Sequence, residues 1–114
     1  MDHPPAYARL NASIGALAHA APGVMAGFAS LQQASQVEGD LSGKVKELMA
    51  LAIGIAVHCK GCITYHVHDV LHAGATPQEV AETVGVEVMM GGGPSVVYGA
   101  EALEALAQFQ ALTP

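Results

Sequence analysis

The residues able to do chemistry together fall in the stretch Glu47–His66. It holds the chain's two cysteines, Cys59 and Cys62, in a C-x-x-C arrangement, with His66 four residues beyond the second. In a helix, residues three apart have Cα atoms about 5 Å apart, inside the span that a disulfide bridges. A helix N-terminus also favours thiolate, the nucleophilic form, through its unpaired N–H groups and its dipole. His66 stands one turn after Cys62 on the same face, where a neutral imidazole can accept the thiol proton. Glu47 is distant in sequence but not in depth. If the chain reverses near His58, Glu47 lies about 11 residues before the bend and His66 about 8 after it. At 1.5 Å per residue these are roughly 16 and 12 Å deep, comparable levels of an antiparallel helix pair. A carboxylate there would orient the ring and raise its basicity.

Each residue also has a plainer reading. Two buried cysteines can act as small apolar residues, and Glu47 can simply offset a helix dipole in a first turn. Cys59, Cys62 and His66, with His58 or Asp69 as a fourth ligand, would make a zinc set, although no second ligand pair accompanies them. His68 and His72 can share a helix face with each other, but not readily with His66. Tyr65 and Tyr98 either line a pocket or pack in the core.

The elements that must position these groups read as helices. Tyr7, Leu10, Ile14 and Leu17 recur at helical spacing over Ala6–Ala20. Ala21-Pro22-Gly23 breaks that segment, and Val24, Phe28 and Leu31 mark a second helix to Gln36. Ser42 is an N-cap for a third helix, apolar on nearly all sides and ending around His58. A fourth runs from about Cys59 to His72, closed by Gly74. Thr76, Pro77 and Glu79 open a fifth, through Met90. Gly91-Gly92-Gly93-Pro94 is a tight connection; no strand precedes it and no lysine follows it, so a phosphate-binding loop is excluded. A sixth helix spans Ser95–Leu112. The expected fold is an all-α bundle of about six helices in a single domain, residues 1–114.

Composition narrows the function. Hydrophobic residues make up 52% of the chain and charged residues 12%, more apolar surface than a small monomer readily hides, which points to a homo-oligomer. The formal charge is −6, and the fixed cations are Arg9, Lys44, Lys46 and Lys60. No basic stripe exists for nucleic acid. The longest apolar run, Leu48–Val57, is half of the ~20 residues that a membrane-crossing helix needs. Met1–Leu10 carries Asp2 and no basic cluster ahead of an apolar core, so it does not read as a secretory signal. The expectation is a cytoplasmic protein, where a lone C-x-x-C is more often redox-active or metal-binding than a structural staple.

Glu47, then Cys59-x-x-Cys62-x-x-x-His66, resembles the signature of alkylhydroperoxidase AhpD-like proteins of the carboxymuconolactone decarboxylase-like superfamily. The resemblance continues through Gly74–Val80 and Met89–Pro94 and covers about residues 41–109. It implies an all-helical fold assembling as trimers or hexamers. It also implies thiol-dependent peroxidase or disulfide-reductase activity, with no haem, metal or other cofactor. By that resemblance Cys62 is the attacking thiolate, Cys59 the resolving thiol, His66 the proton shuttle and Glu47 its assistant. The partners implied are a peroxide and an external dithiol or thiol–disulfide reductant. Some members carry a histidine just before the second cysteine; Gly61 stands there in this chain, removing one proton-relay group. The decarboxylase branch generally lacks the C-x-x-C, so lactone decarboxylation is not favoured. The alternatives are a disulfide reductase or redox partner with little peroxidase activity, and a non-catalytic metal-binding oligomeric module.

Overall fold

Three helix starts, those of the third, fourth and fifth helices, are set by a side chain that satisfies a free amide. Ser42 accepts a hydrogen bond from the Val45 amide at 3.1 Å, and Thr76 accepts one from Glu79 at 3.1 Å while the Glu79 carboxylate accepts the Thr76 amide at 2.9 Å. The latter is a complete capping box. The computed structural model describes residues 1–112, which form α1 (His3–Ala20), α2 (Pro22–Gln36), α3 (Gly43–Ala56), α4 (Lys60–His72), α5 (Pro77–Gly91) and α6 (Gly93–Ala111). There is no strand among the described residues, and the expected all-α architecture stands. Three helix starts move outward from the sequence reading. The first helix takes in Pro4 and Pro5, the second begins at Pro22 and the sixth begins at Gly93 and takes in Pro94, because a proline in a first turn lacks an N–H that would be unpaired anyway.

The turns on either side of α4 share one design. At the end of α4 the Gly74 amide donates to Leu71 O and the Ala75 amide to Val70 O, with Gly74 at φ 91°. At the end of α3 the His58 amide donates to Ile55 O and the Cys59 amide to Gly54 O, with His58 at φ 60°. Both are Schellman endings, in which a left-handed residue lets the chain pair its last carbonyls and turn away. Glycine takes that conformation freely. Histidine does so at a cost, and here its ring is stacked on Tyr98 at 4.5 Å with the planes 4° apart.

The core is built by α3 to α6: Leu51 and Ile55 from α3, Ile63, Val67 and Val70 from α4, Val80 and Val84 from α5, and Ala102, Ala105, Leu106 and Phe109 from α6. The third helix contacts α2, α4, α5 and α6, as a central helix should, yet Met49, Ile53 and Val57 on its other side stay exposed. Helix α1 lies across α4 and α6 and buries one residue, His3; α2 packs on α1 and α3 and buries none. Val24, Phe28 and Leu31, the apolar residues that marked α2 in the sequence, remain exposed. No described helix is long and apolar enough to cross a membrane.

Lys44 reaches Glu79 at 2.8 Å, tying the start of α3 to the start of α5. That ammonium, with the Thr76 amide, holds the Glu79 carboxyl below its ordinary range. A carboxyl lowered in this way contributes stability above its unfolded value, and loses it as pH falls through the folded one.

Nothing lies within 4 Å of where a Cβ on Gly74 would sit, so only its backbone conformation demands glycine. Gly74→Ala should therefore cost about 1–2 kcal/mol, read as a lower denaturant midpoint with an unchanged slope.

Candidate active site

Helix α4 opens on the cysteine pair. Cys59 is its N-cap, with Sγ accepting the Cys62 amide at 3.1 Å, an arrangement that favours negative charge on that sulfur when it is reduced. Cys59 and Cys62 are joined as a disulfide with Cα atoms 5.1 Å apart, the separation expected of neighbouring turns. In this oxidised form the two sulfurs are bonded to each other. His58, one candidate fourth ligand of the zinc set that the sequence allowed, is engaged with Tyr98.

Glu47 and His66 meet across the α3–α4 pair, with Oε2 3.1 Å from Nδ1 and both side chains mostly buried. Glu47 thus fixes the ring through Nδ1 and leaves Nε2 for other work. The depth argument from sequence brought the right two residues together. Asp69 joins them: one ligand atom from each of Glu47, His66 and Asp69 lies within 4.8 Å of the others, and Asp69 also contacts His68 Nδ1 at 3.0 Å.

Cys59, Cys62 and His66 all line a cavity of about 820 Å³ between α1, α2 and the start of α4, within the size range of small-molecule sites. Glu47 is not on the cavity wall; it stands behind His66. The rest of the lining is chiefly apolar, with Leu10, Ile14 and Leu17 from α1 and Met25 and Phe28 from α2. Gly61 is on the wall too. A Cβ there would meet Leu10 at 3.6 Å, ordinary contact, so glycine is not sterically required and its bareness leaves room in the cavity.

Of the two tyrosines that the sequence allowed either to line a pocket or to pack in the core, Tyr65 lines the cavity; burial, then Asp69, Tyr7 and Glu47, push its phenol above the ordinary value of 10.0, so it stays a hydrogen-bond donor at neutral pH. Gly54 on α3 is a contributor that was not legible as a site residue. A Cβ on it would fall 3.1 Å from the Cβ of Cys62, so this glycine lets α4 approach α3 at the cysteine pair. A glycine inside an apolar helical run was the available signal.

The profile of the carboxymuconolactone decarboxylase family matches residues 22–105. An uncharacterized protein of Cupriavidus necator is 37% identical over 103 residues, covering 90% of this chain and 88% of its own. A carboxymuconolactone decarboxylase family protein from Legionella pneumophila, in its apo form, superposes with a TM-score of 0.91 at 40% identity, over 94% of this chain and 96% of that one. A Thermotoga maritima protein of the same family, for which involvement in an antioxidative response has been suggested, superposes with a TM-score of 0.83 at 23% identity, over 93% and 91% of the two chains. That last likeness is one of fold.

The helix contact at Gly54 gives a signed prediction. Gly54→Ala should destabilise the protein by about 1–3 kcal/mol through overpacking against Cys62. Gly85→Ala, at an exposed helical position with nothing within 4 Å, should stabilise it by roughly 0.5–1 kcal/mol. Thermal melts of the two variants beside the wild type, all with the disulfide intact, check both signs.

Proposed function

The chain belongs to the carboxymuconolactone decarboxylase family, and from that premise we propose that it is a thiol-dependent peroxidase of the alkylhydroperoxidase type, cycling through Cys59 and Cys62. The observation that carries this reading is a closed C-x-x-C disulfide beside a carboxylate-held histidine on one cavity wall. The antioxidative involvement suggested for the Thermotoga maritima protein points the same way.

In the reduced protein, His66 takes the Cys62 thiol proton, with Glu47 holding the ring. The Cys62 thiolate attacks one peroxide oxygen; the O–O bond breaks, and the other oxygen leaves as alcohol or water after taking a proton. Cys62 is now a sulfenic acid. The Cys59 sulfur, favoured as thiolate by the Cys62 amide, attacks it; the S–S bond forms and the sulfenic oxygen leaves as water. An external dithiol reduces the disulfide by exchange and is itself oxidised. The net change is one peroxide and one dithiol converted to alcohol, water and a disulfide. Tyr65 can donate to the peroxide or to the leaving oxygen.

The protein acts in the cytoplasm in this reading, where reductants restore the dithiol. It works as a homo-oligomer, trimer or hexamer. Val24, Met90 and Val97, at 73%, 78% and 68% exposure, support that assembly, since apolar surface of this extent marks interfaces.

Peroxide consumption with dithiothreitol as reductant, using hydrogen peroxide and an organic hydroperoxide, tests the proposal. Wild type should turn over, Cys62→Ser should lose turnover by at least about 100-fold, and pre-reduced Cys59→Ser, freed of dithiothreitol, should consume one equivalent and stall as the sulfenic acid. Equal turnover in Cys62→Ser would remove that residue as nucleophile. No turnover in wild type, with a readily reduced disulfide, would move the function to disulfide exchange with a protein partner.

A further inference from the structure

Helix α1 begins with a polar side chain in a place where polar groups need partners. His3 is completely buried, although no other residue of α1 is. Its Nδ1 lies 2.7 Å from the Thr64 hydroxyl. Its Nε2 lies 3.2 Å from Glu101 Oε1, but off the line of a hydrogen bond, so the buried Nε2 has no hydrogen-bond partner. Buried polar nitrogens are seldom left in this state. Glu104, one turn along α6 from Glu101, brings a second carboxylate: one ligand atom from each of His3, Glu101 and Glu104 lies within 4.8 Å of the others. Glu104 Oε1 also accepts from Gln108 at 3.2 Å and lies 3.6 Å from the Met1 amino group.

We propose that His3, Glu101 and Glu104 form a binding site for a divalent transition-metal ion of the zinc type, separate from the cysteine centre. Three features support it. The first is spacing: two ligands each about 2.0–2.2 Å from a shared ion sit roughly 3–3.5 Å apart, and Nε2 and Oε1 are 3.2 Å apart without a proton aimed between them. The second is the support behind the ligand. When Nδ1 donates to Thr64 Oγ1, the tautomer is fixed with its lone pair on Nε2, toward the carboxylates, as metal-ligating histidines are usually held. The third is charge. Two carboxylates three residues apart on one helix repel each other, in a chain of net charge −6, and a bound dication relieves that repulsion.

The donor set chooses the ion. One imidazole nitrogen with carboxylate oxygens suits zinc and its first-row neighbours, is too hard for copper(I), and has a nitrogen that calcium and magnesium do not seek. Glu104 is exposed, so the ion enters from that side and keeps solvent ligands. Bound there, it clamps the start of α1 to α6 and, through Thr64, to α4, between Cys62 and His66 in sequence. Its role is structural, and the cysteine chemistry does not run through it.

The test is calorimetric titration of zinc chloride into chelator-treated, full-length protein without a histidine tag, kept oxidised so that no thiol binds zinc. Glu101→Gln and Glu104→Gln, both on partly or fully exposed side chains, are titrated beside it, as is Glu47→Gln to report on the Glu47–His66–Asp69 cluster. The proposal expects one equivalent bound, at least about tenfold weaker in each of the Glu101 and Glu104 variants and unchanged in Glu47→Gln, with zinc raising the melting temperature of wild type. No stoichiometric binding overturns it. So does binding that survives both Glu101→Gln and Glu104→Gln, or binding that is lost in Glu47→Gln instead.

Discussion

The contact between Glu47 and His66 is the constraint on which the rest of the site depends. It joins the first turns of α3 to the middle of α4, so it exists only if those helices run antiparallel with the bend at His58. That register places Gly54 against Cys62, because both lie nearer the bend on the same pair of facing surfaces. It also fixes which imidazole nitrogen is spoken for. With Nδ1 held at 3.1 Å by the carboxylate, the ring has one remaining nitrogen, and the cavity that His66 lines also holds both sulfurs.

Around this pair the fold divides its work. Helices α3 to α6 supply the apolar core and hold the register. Helices α1 and α2 add almost nothing to that core, and instead wall the cavity with Leu10, Ile14, Met25 and Phe28. This explains why α2 can bury no residue and still matter: its apolar side chains shape a cavity in front of the disulfide. Apolar side chains on that side lower the local polarity, and charge interactions between an imidazole and a carboxylate are stronger there than in bulk water.

Much of this was legible in the sequence, for physical reasons. Helix starts were readable because Ser42 and Thr76 are good caps, and the pairing of Glu47 with His66 followed from the fixed rise of a helix. The cysteine spacing anticipated a bridgeable separation. Three features were not readable. His58 in a left-handed turn has no local signature, since glycine, the usual sign of a Schellman ending, is absent there. The apolar stripe of α2 predicts burial equally well whether it meets core or cavity. His3 carries no signal in the sequence, because its partners Thr64 and Glu101 lie far along the chain and only tertiary packing brings them together.

The claim at the centre is that Glu47, through His66, serves the Cys62 sulfur. The most direct measurement is the pH dependence of alkylation of the Cys62 thiol in Cys59→Ser protein, with and without Glu47→Gln. If the carboxylate acts through the imidazole, its loss moves the alkylation profile to higher pH and slows the reaction at neutral pH. Superimposable profiles would contradict the account, and would reduce the Glu47–His66 contact to a structural tie between α3 and α4.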